Sequence, residues 1–124
     1  MKRILLCLMV ALFATGCLFA KNNDEKMNVM SYNIRYDNSG DKDNQWKFRR
    51  DFAADLVKFH EADVFGAQEV LNNQLNDLLD RLPEYAYVGV GREDGKTKGE
   101  YAPIFYRKDR FSVEKSGNFW LAED

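Results

Sequence analysis

Two short apolar runs, each closing on a polar side chain suited to holding a ligand, constrain this chain more than any other feature. "MNVMSYN" ends at Asn33, and "DVFGAQ" leads directly into Glu69. The first run, about Met27 to Asn33, has apolar side chains on both alternating faces: Val29 on one, Met30 and Tyr32 on the other. That pattern predicts a strand covered on two sides. Val64 to Gln68 predicts a second short buried strand. Between them Phe48, Phe52, Leu56 and Phe59, with Ala53 and Val57 beside them, recur at helical spacing. This predicts a helix from Trp46 to His60, capped by Asn44 or Asp43 and packed through its aromatic stripe. Strands joined through a helix pair in parallel with a right-handed crossover. Ligands of such sheets gather at the carboxyl ends of the strands, where Asn33 and Glu69 lie.

The rest of the chain extends the pattern. Leu71, Leu75, Leu78, Leu79 and Leu82 form the stripe of a second helix, stopped by Pro83. "YAYVGV" predicts a third strand, "YAPIFYR" a fourth and "FSVEKSGNFWL" a fifth, interrupted at Gly117. "DNSGDKDNQ" reads as a solvated loop bordering the site, since it lacks the glycine and final glutamate of an EF-hand. "REDGKTKGE" reads as a mobile surface connection. Trp46 either packs in the core or edges the site. The order β-α-β-α-β-β-β makes the fold class α/β.

Residues 1–20 stand apart from this pattern. Lys2 and Arg3 precede the apolar run "ILLCLMVALF", the layout of a secretory signal. "ATGC" resembles a bacterial lipobox, which would leave Cys17 as a lipidated N-terminus; cleavage after Ala20 would instead release a soluble protein. The expected location is therefore outside the bacterial cytoplasm: periplasmic, surface-anchored or secreted. Cys7 and Cys17 are the only cysteines, so residues 21–124 hold no disulfide framework and no cysteine metal site. Without Lys2 and Arg3, 16 basic residues face 20 acidic ones, a net charge near −4. The charge does not favour nucleic acid as a partner, although it leaves that partner open, and it is compatible with small phosphoesters. A membrane partner enters only through the lipid anchor.

An amide oxygen and a carboxylate converging at adjacent strand ends suit a hard cation such as Mg²⁺. Arg35 beside them can fork onto a phosphate. Asn and Glu are also ordinary turn and cap residues after strands, and Glu69 would suit the first turn of a helix. His60, the single histidine, reads as a helix-terminal residue interacting with the helix dipole.

"MSYNIR", "GAQEV" and "GEYAPIFYRKDRF", in this order and on these elements, resemble the N-terminal part of the endonuclease/exonuclease/phosphatase superfamily of metal-dependent phosphoesterases. The resemblance implies a four-layer α/β sandwich, two mixed sheets flanked by helices, of which residues 21–124 supply the opening portion. By position it implies that Glu69 binds the metal, Mg²⁺ or Mn²⁺. Asn33 would lie near the metal and the scissile phosphate, Arg35 would contact phosphate, and Glu100 would orient a catalytic histidine. The family's Asp-x-Asn segment and final Asp-His pair are absent up to Asp124. The expectation is therefore a phosphoester hydrolase present as a fragment that does not turn over and is poorly folded alone. The alternative is a non-catalytic product or a surface lipoprotein with a binding role.

Overall fold

A computed structural model describes residues 26–121. Its spine is the parallel pair that the sequence predicts. Strand β1 (Val29–Asn33) lies beside β2 (Val64–Gln68), with Val29 opposite Val64 and Asn33 opposite Gln68. The intervening helix α1 is Trp46–Phe59, and α2 follows β2 at Asn72–Arg81. Two further strands, β3 (Tyr85–Val88) and β4 (Ile104–Arg107), complete a mixed sheet in the order β1-β2-β4-β3. Strand β4 is antiparallel to both neighbours. Tyr101 continues its line towards the site by bridging to Val70.

Alternation sets the faces. Met30, Tyr32, Phe65, Ala67, Phe105, Tyr85 and Tyr87 point to the side covered by the helices. The rings of Phe65 and Phe105 stack at 4.5 Å and 5°, and Tyr85 meets Phe65 edge-on at 5.6 Å. Leu75 and Leu78 of α2, with Leu82 directly after it, seal this layer, as their spacing predicts. The opposite face is less covered than the sequence suggests. Val29 is 64% exposed and Ile104 49%, so β1 is covered on one side only among the described residues.

Helix α1 packs through a different face from the one predicted. Trp46, Ala53, Ala54 and Val57 are buried, whereas Phe48, Phe52 and Phe59 are 61–79% exposed. Both sets recur at helical spacing, and the small side chains won because they let the helix lie close against the sheet. Trp46 is a core residue. Its indole N–H donates to Asp77 of α2 at 2.8 Å, which ties the two helices together. The helix begins at Gln45 without a side-chain cap, because the preceding "DNSGDKDN" is not a free loop. Residues Ser39–Asn44 form 3-10 turns capped by the Asn38 side chain. His60 ends α1, as expected.

Two further expectations are corrected. Residues 111–121 form no strand: the amides of Arg110 and Phe111 both donate to the Arg107 carbonyl and turn the chain off the sheet as β4 ends. The 91–100 connection is a closed, internally bonded turn. Asp94 accepts from the amides of Lys96 and Lys98 at 2.8 and 3.0 Å, and a Cβ on Gly91 would collide with the Lys98 backbone at 2.3 Å. The signal region, Cys7, Cys17 and the cut after Ala20 lie outside the described residues. Among those described, no helix is long and apolar enough to cross a membrane.

At the amino ends of β1 and β2, Asp63 is 2% exposed; it accepts the Asn28 amide at 2.8 Å and pairs with Arg110. The Asn28 hydrogen bond, followed by the Arg110 interaction, holds its carboxyl below the ordinary value near 3.8. A depressed folded-state value contributes stability above the unfolded value that is lost as pH falls through the folded one. The urea midpoint should therefore decline as pH drops below about 4. Asp63→Asn should cost about 1–3 kcal/mol at pH 7 and lose this part of the acid decline. An unchanged acid limb in the variant would assign that decline to other carboxylates.

Candidate active site

The carboxyl ends of β1 and β2 bring Asn33 and Glu69 into contact. Asn33 Nδ2 donates to Glu69 Oε1 at 2.8 Å, and the Tyr36 amide donates to Oε2 at 3.2 Å. Asn33 Oδ1 accepts the Arg35 amide at 2.8 Å. That bond fixes the amide orientation, because only the oxygen can accept. The sequence reading of two oxygens converging on one cation is corrected accordingly: Asn33 turns its nitrogen to Glu69 and orients the carboxylate. The Asn33 bond first, then the Tyr36 amide, with the Arg35 charge contributing least, hold the Glu69 carboxyl below its ordinary range.

Two non-glycine residues here adopt left-handed backbone, Arg35 at φ 59° and Glu69 at φ 59°. Such conformations persist only where the surroundings over-determine them. Arg35 leaves the end of β1 through this turn, and its guanidinium is held by Asp41 of the 3-10 segment, with bonds of 3.0 and 3.1 Å. Its side chain is 47% exposed and lies 4.5 Å from the centre of the Tyr36 ring. Arg35 is therefore beside the site but already paired. Arg49 of α1 closes the same turn, donating to the Ile34 carbonyl at 2.7 Å and to that of Arg35 at 3.3 Å.

Glu69 also lines a cleft of about 570 Å³ with Glu100, Arg92, Tyr101, Phe119 and Trp120. Glu100 reaches this cleft from the 91–100 turn, where Arg92 pairs with it at 3.4 Å. Trp120 closes one wall, its indole N–H donating to the Arg92 carbonyl at 2.9 Å. His60 sits at the far end of the sheet, near Met27 and Ala62, so no imidazole among the described residues reaches the cleft.

The donor set suits a cation that keeps most of its waters. Each Glu69 oxygen accepts one hydrogen bond and retains a lone pair. Mg²⁺ is commonly held by one or two carboxylates together with waters and substrate phosphate. Among the described residues, no group of three or more acidic, histidine or cysteine side chains is placed to hold a metal ion together. Glu69 is the carboxylate that the strand ends present to this cleft, with Glu100 across it.

No family model matches the sequence. Among solved structures, the chain is similar to an endonuclease/exonuclease/phosphatase from Bacteroides vulgatus. Identity is 56% over 76% of this chain and 36% of that one, with a TM-score of 0.74. A family protein from Bacteroides thetaiotaomicron is 45% identical over 78% of this chain and 36% of its own, with a TM-score of 0.76. A mannosyl-6-phosphatase from the same organism is 45% identical over 79% of this chain and 38% of its own, with a TM-score of 0.77.

Over this shared portion the chain is similar to proteins of the endonuclease/exonuclease/phosphatase family. It spans between 36% and 38% of the length of these three family members. The resemblance carried by "MSYNIR", "GAQEV" and "GEYAPIFYRKDRF" is borne out, as is the α/β class. Within the family fold, the structure joins Asn33 to Glu69 directly and Glu69 to Glu100 through the cleft. Three contributors were not singled out from the sequence: Asp41, Arg49 and Gln74. Gln74 left a readable sign, being a polar residue one position before Leu75 and four before Leu78, on the apolar stripe of α2. Asp41 and Arg49 left none, because charged residues in a loop and on an exposed helix turn are the ordinary case.

Proposed function

We propose that this protein is a divalent-metal-dependent phosphoester hydrolase whose substrate is a sugar phosphomonoester. The observation that carries the reading is the Glu69 carboxylate, ionised and oriented by Asn33 and the Tyr36 amide at the strand ends. The substrate class is supported by 45% identity to a mannosyl-6-phosphatase. Hydrolysis forms a bond from water oxygen to phosphorus and breaks the ester P–O bond; the alcohol leaves with a proton and inorganic phosphate is released. Mg²⁺ or Mn²⁺, when bound, supplies charge neutralisation at the phosphate oxygens. Glu69 would hold it. Asn33 keeps that carboxylate in place, and Arg35, once released from Asp41, reaches a phosphate oxygen through its fork. Glu100 would orient a catalytic histidine, as the resemblance implies.

The full-length protein, freed of metal and assayed on mannose 6-phosphate, should release phosphate only when Mg²⁺ or Mn²⁺ is restored. Release of phosphate at the same rate in excess EDTA would contradict the metal-dependent reading. Activity confined to phosphodiesters would move the substrate class.

A further inference from the structure

We propose that Gln74 is a positioning residue that locks the two left-handed turns of the site to each other. The inference rests on the proposed function for its catalytic consequence, but its structural content stands alone. Gln74 is 0% exposed, although it is an uncharged polar residue in the first turn of α2, on the face that packs into the core. A buried amide is costly unless its hydrogen bonds are satisfied. Here three are made, and each goes to a backbone group beside the site. Nε2 donates to the Arg35 carbonyl at 2.9 Å. Oε1 accepts the Asp37 amide at 3.0 Å and the Leu71 amide at 3.1 Å.

The partners decide the reading. Arg35 and Asp37 belong to the turn leaving β1; Leu71 belongs to the turn leaving β2. Each turn contains a left-handed non-glycine residue, Arg35 in one and Glu69 in the other. An ordinary helix-start glutamine would bond back to its own first turn alone, and the Leu71 bond is of that kind. The bonds to Arg35 and Asp37 cross 39 and 37 residues of sequence. Between these two bonds lies Tyr36, whose amide donates to the Glu69 carboxylate. Gln74 therefore fixes the peptide that presents this donor, and with it the distance from the β1 turn to Glu69. Misplacement of a catalytic group by about 1 Å can cost a hundredfold in rate.

The test compares three variants of the full-length protein. Gln74→Leu keeps the volume and removes all three bonds; Gln74→Glu keeps both acceptor bonds; Leu78→Ala destabilises the same helix without touching either turn. Amide exchange should accelerate at least tenfold at Tyr36 and Asp37 in Gln74→Leu, with no such change in Leu78→Ala. With Mg²⁺ and mannose 6-phosphate, kcat should fall roughly 10- to 100-fold in Gln74→Leu, measured below its melting temperature. Gln74→Glu, which sets an oxygen against the Arg35 carbonyl in place of the Nε2 donor, should stay impaired, and Leu78→Ala should stay within about twofold of the parent protein. Unchanged exchange at Tyr36 and Asp37 in Gln74→Leu would overturn the lock whatever the enzyme's activity. Loss of kcat in Leu78→Ala equal to that in Gln74→Leu would reduce Gln74 to a stabilising residue. A parent protein without metal-dependent activity, but with the exchange pattern as stated, would remove the proposed function and leave the lock standing.

Discussion

Glu69→Gln is expected to lower metal-dependent phosphoester hydrolysis about a thousandfold while leaving the fold intact. The magnitude follows from the charge removed. A metal stabilises developing phosphate charge by several kcal/mol, and each ~1.4 kcal/mol is tenfold in rate. The substitution keeps the side-chain shape, and its remaining carbonyl oxygen can still accept one of the two hydrogen bonds now made by Asn33 and Tyr36. Melting followed by circular dichroism should therefore shift little, whereas kcat/KM should collapse and the response to added Mg²⁺ should flatten. Asn33→Ala should be milder, since loss of a group that orients a metal ligand costs about 10- to 100-fold. Full activity in Glu69→Gln would remove this residue from the chemistry.

Phe65→Ala is expected to produce the largest loss of stability of any single truncation in the described fold. The ring is 0% exposed, stacks on Phe105 and receives the edge of Tyr85, so it joins three of the four strands at the centre of the sheet. Aromatic-to-alanine changes at such sites cost about 3–5 kcal/mol. That is a large part of the 5–15 kcal/mol typical of a domain. Urea unfolding should show the midpoint falling sharply with little change in slope. Phe52→Ala, on the exposed side of α1, should cost less than about 0.5 kcal/mol. Equal effects of the two would mean that α1 buries its aromatic stripe, the packing that the sequence pattern favoured.

That contrast shows how far the sequence could be read. The parallel pair, both helices and the clustering of Asn33 with Glu69 were legible, because alternation, helical periodicity and the strand-end rule all act within a few residues. The orientation of α1 was not. Its aromatic and small-residue faces both satisfy helical spacing, and only the closeness of the sheet decides between them. The 111–121 segment reads as a strand by composition, but the turn at Arg107 carries it off the sheet, and no local pattern records that. Glu69's neighbourhood was half legible. The approach of Asn33 follows from register, yet which atom of its amide faces the carboxylate is set by the Arg35 amide two residues on. Gln74 acts across nearly forty residues, so its role emerges only once the two turns are seen together.

The proposed function requires the Glu69 carboxylate to anchor a divalent cation at the ends of β1 and β2. Crystals of the full-length protein soaked in Mn²⁺ and measured at an energy where manganese scatters anomalously test this directly. The expected result is an anomalous peak about 2.1 Å from a Glu69 oxygen, with Asn33 still donating to the same carboxylate. A fully occupied peak elsewhere, with Glu69 bound to nothing but Asn33 and the Tyr36 amide, would contradict it.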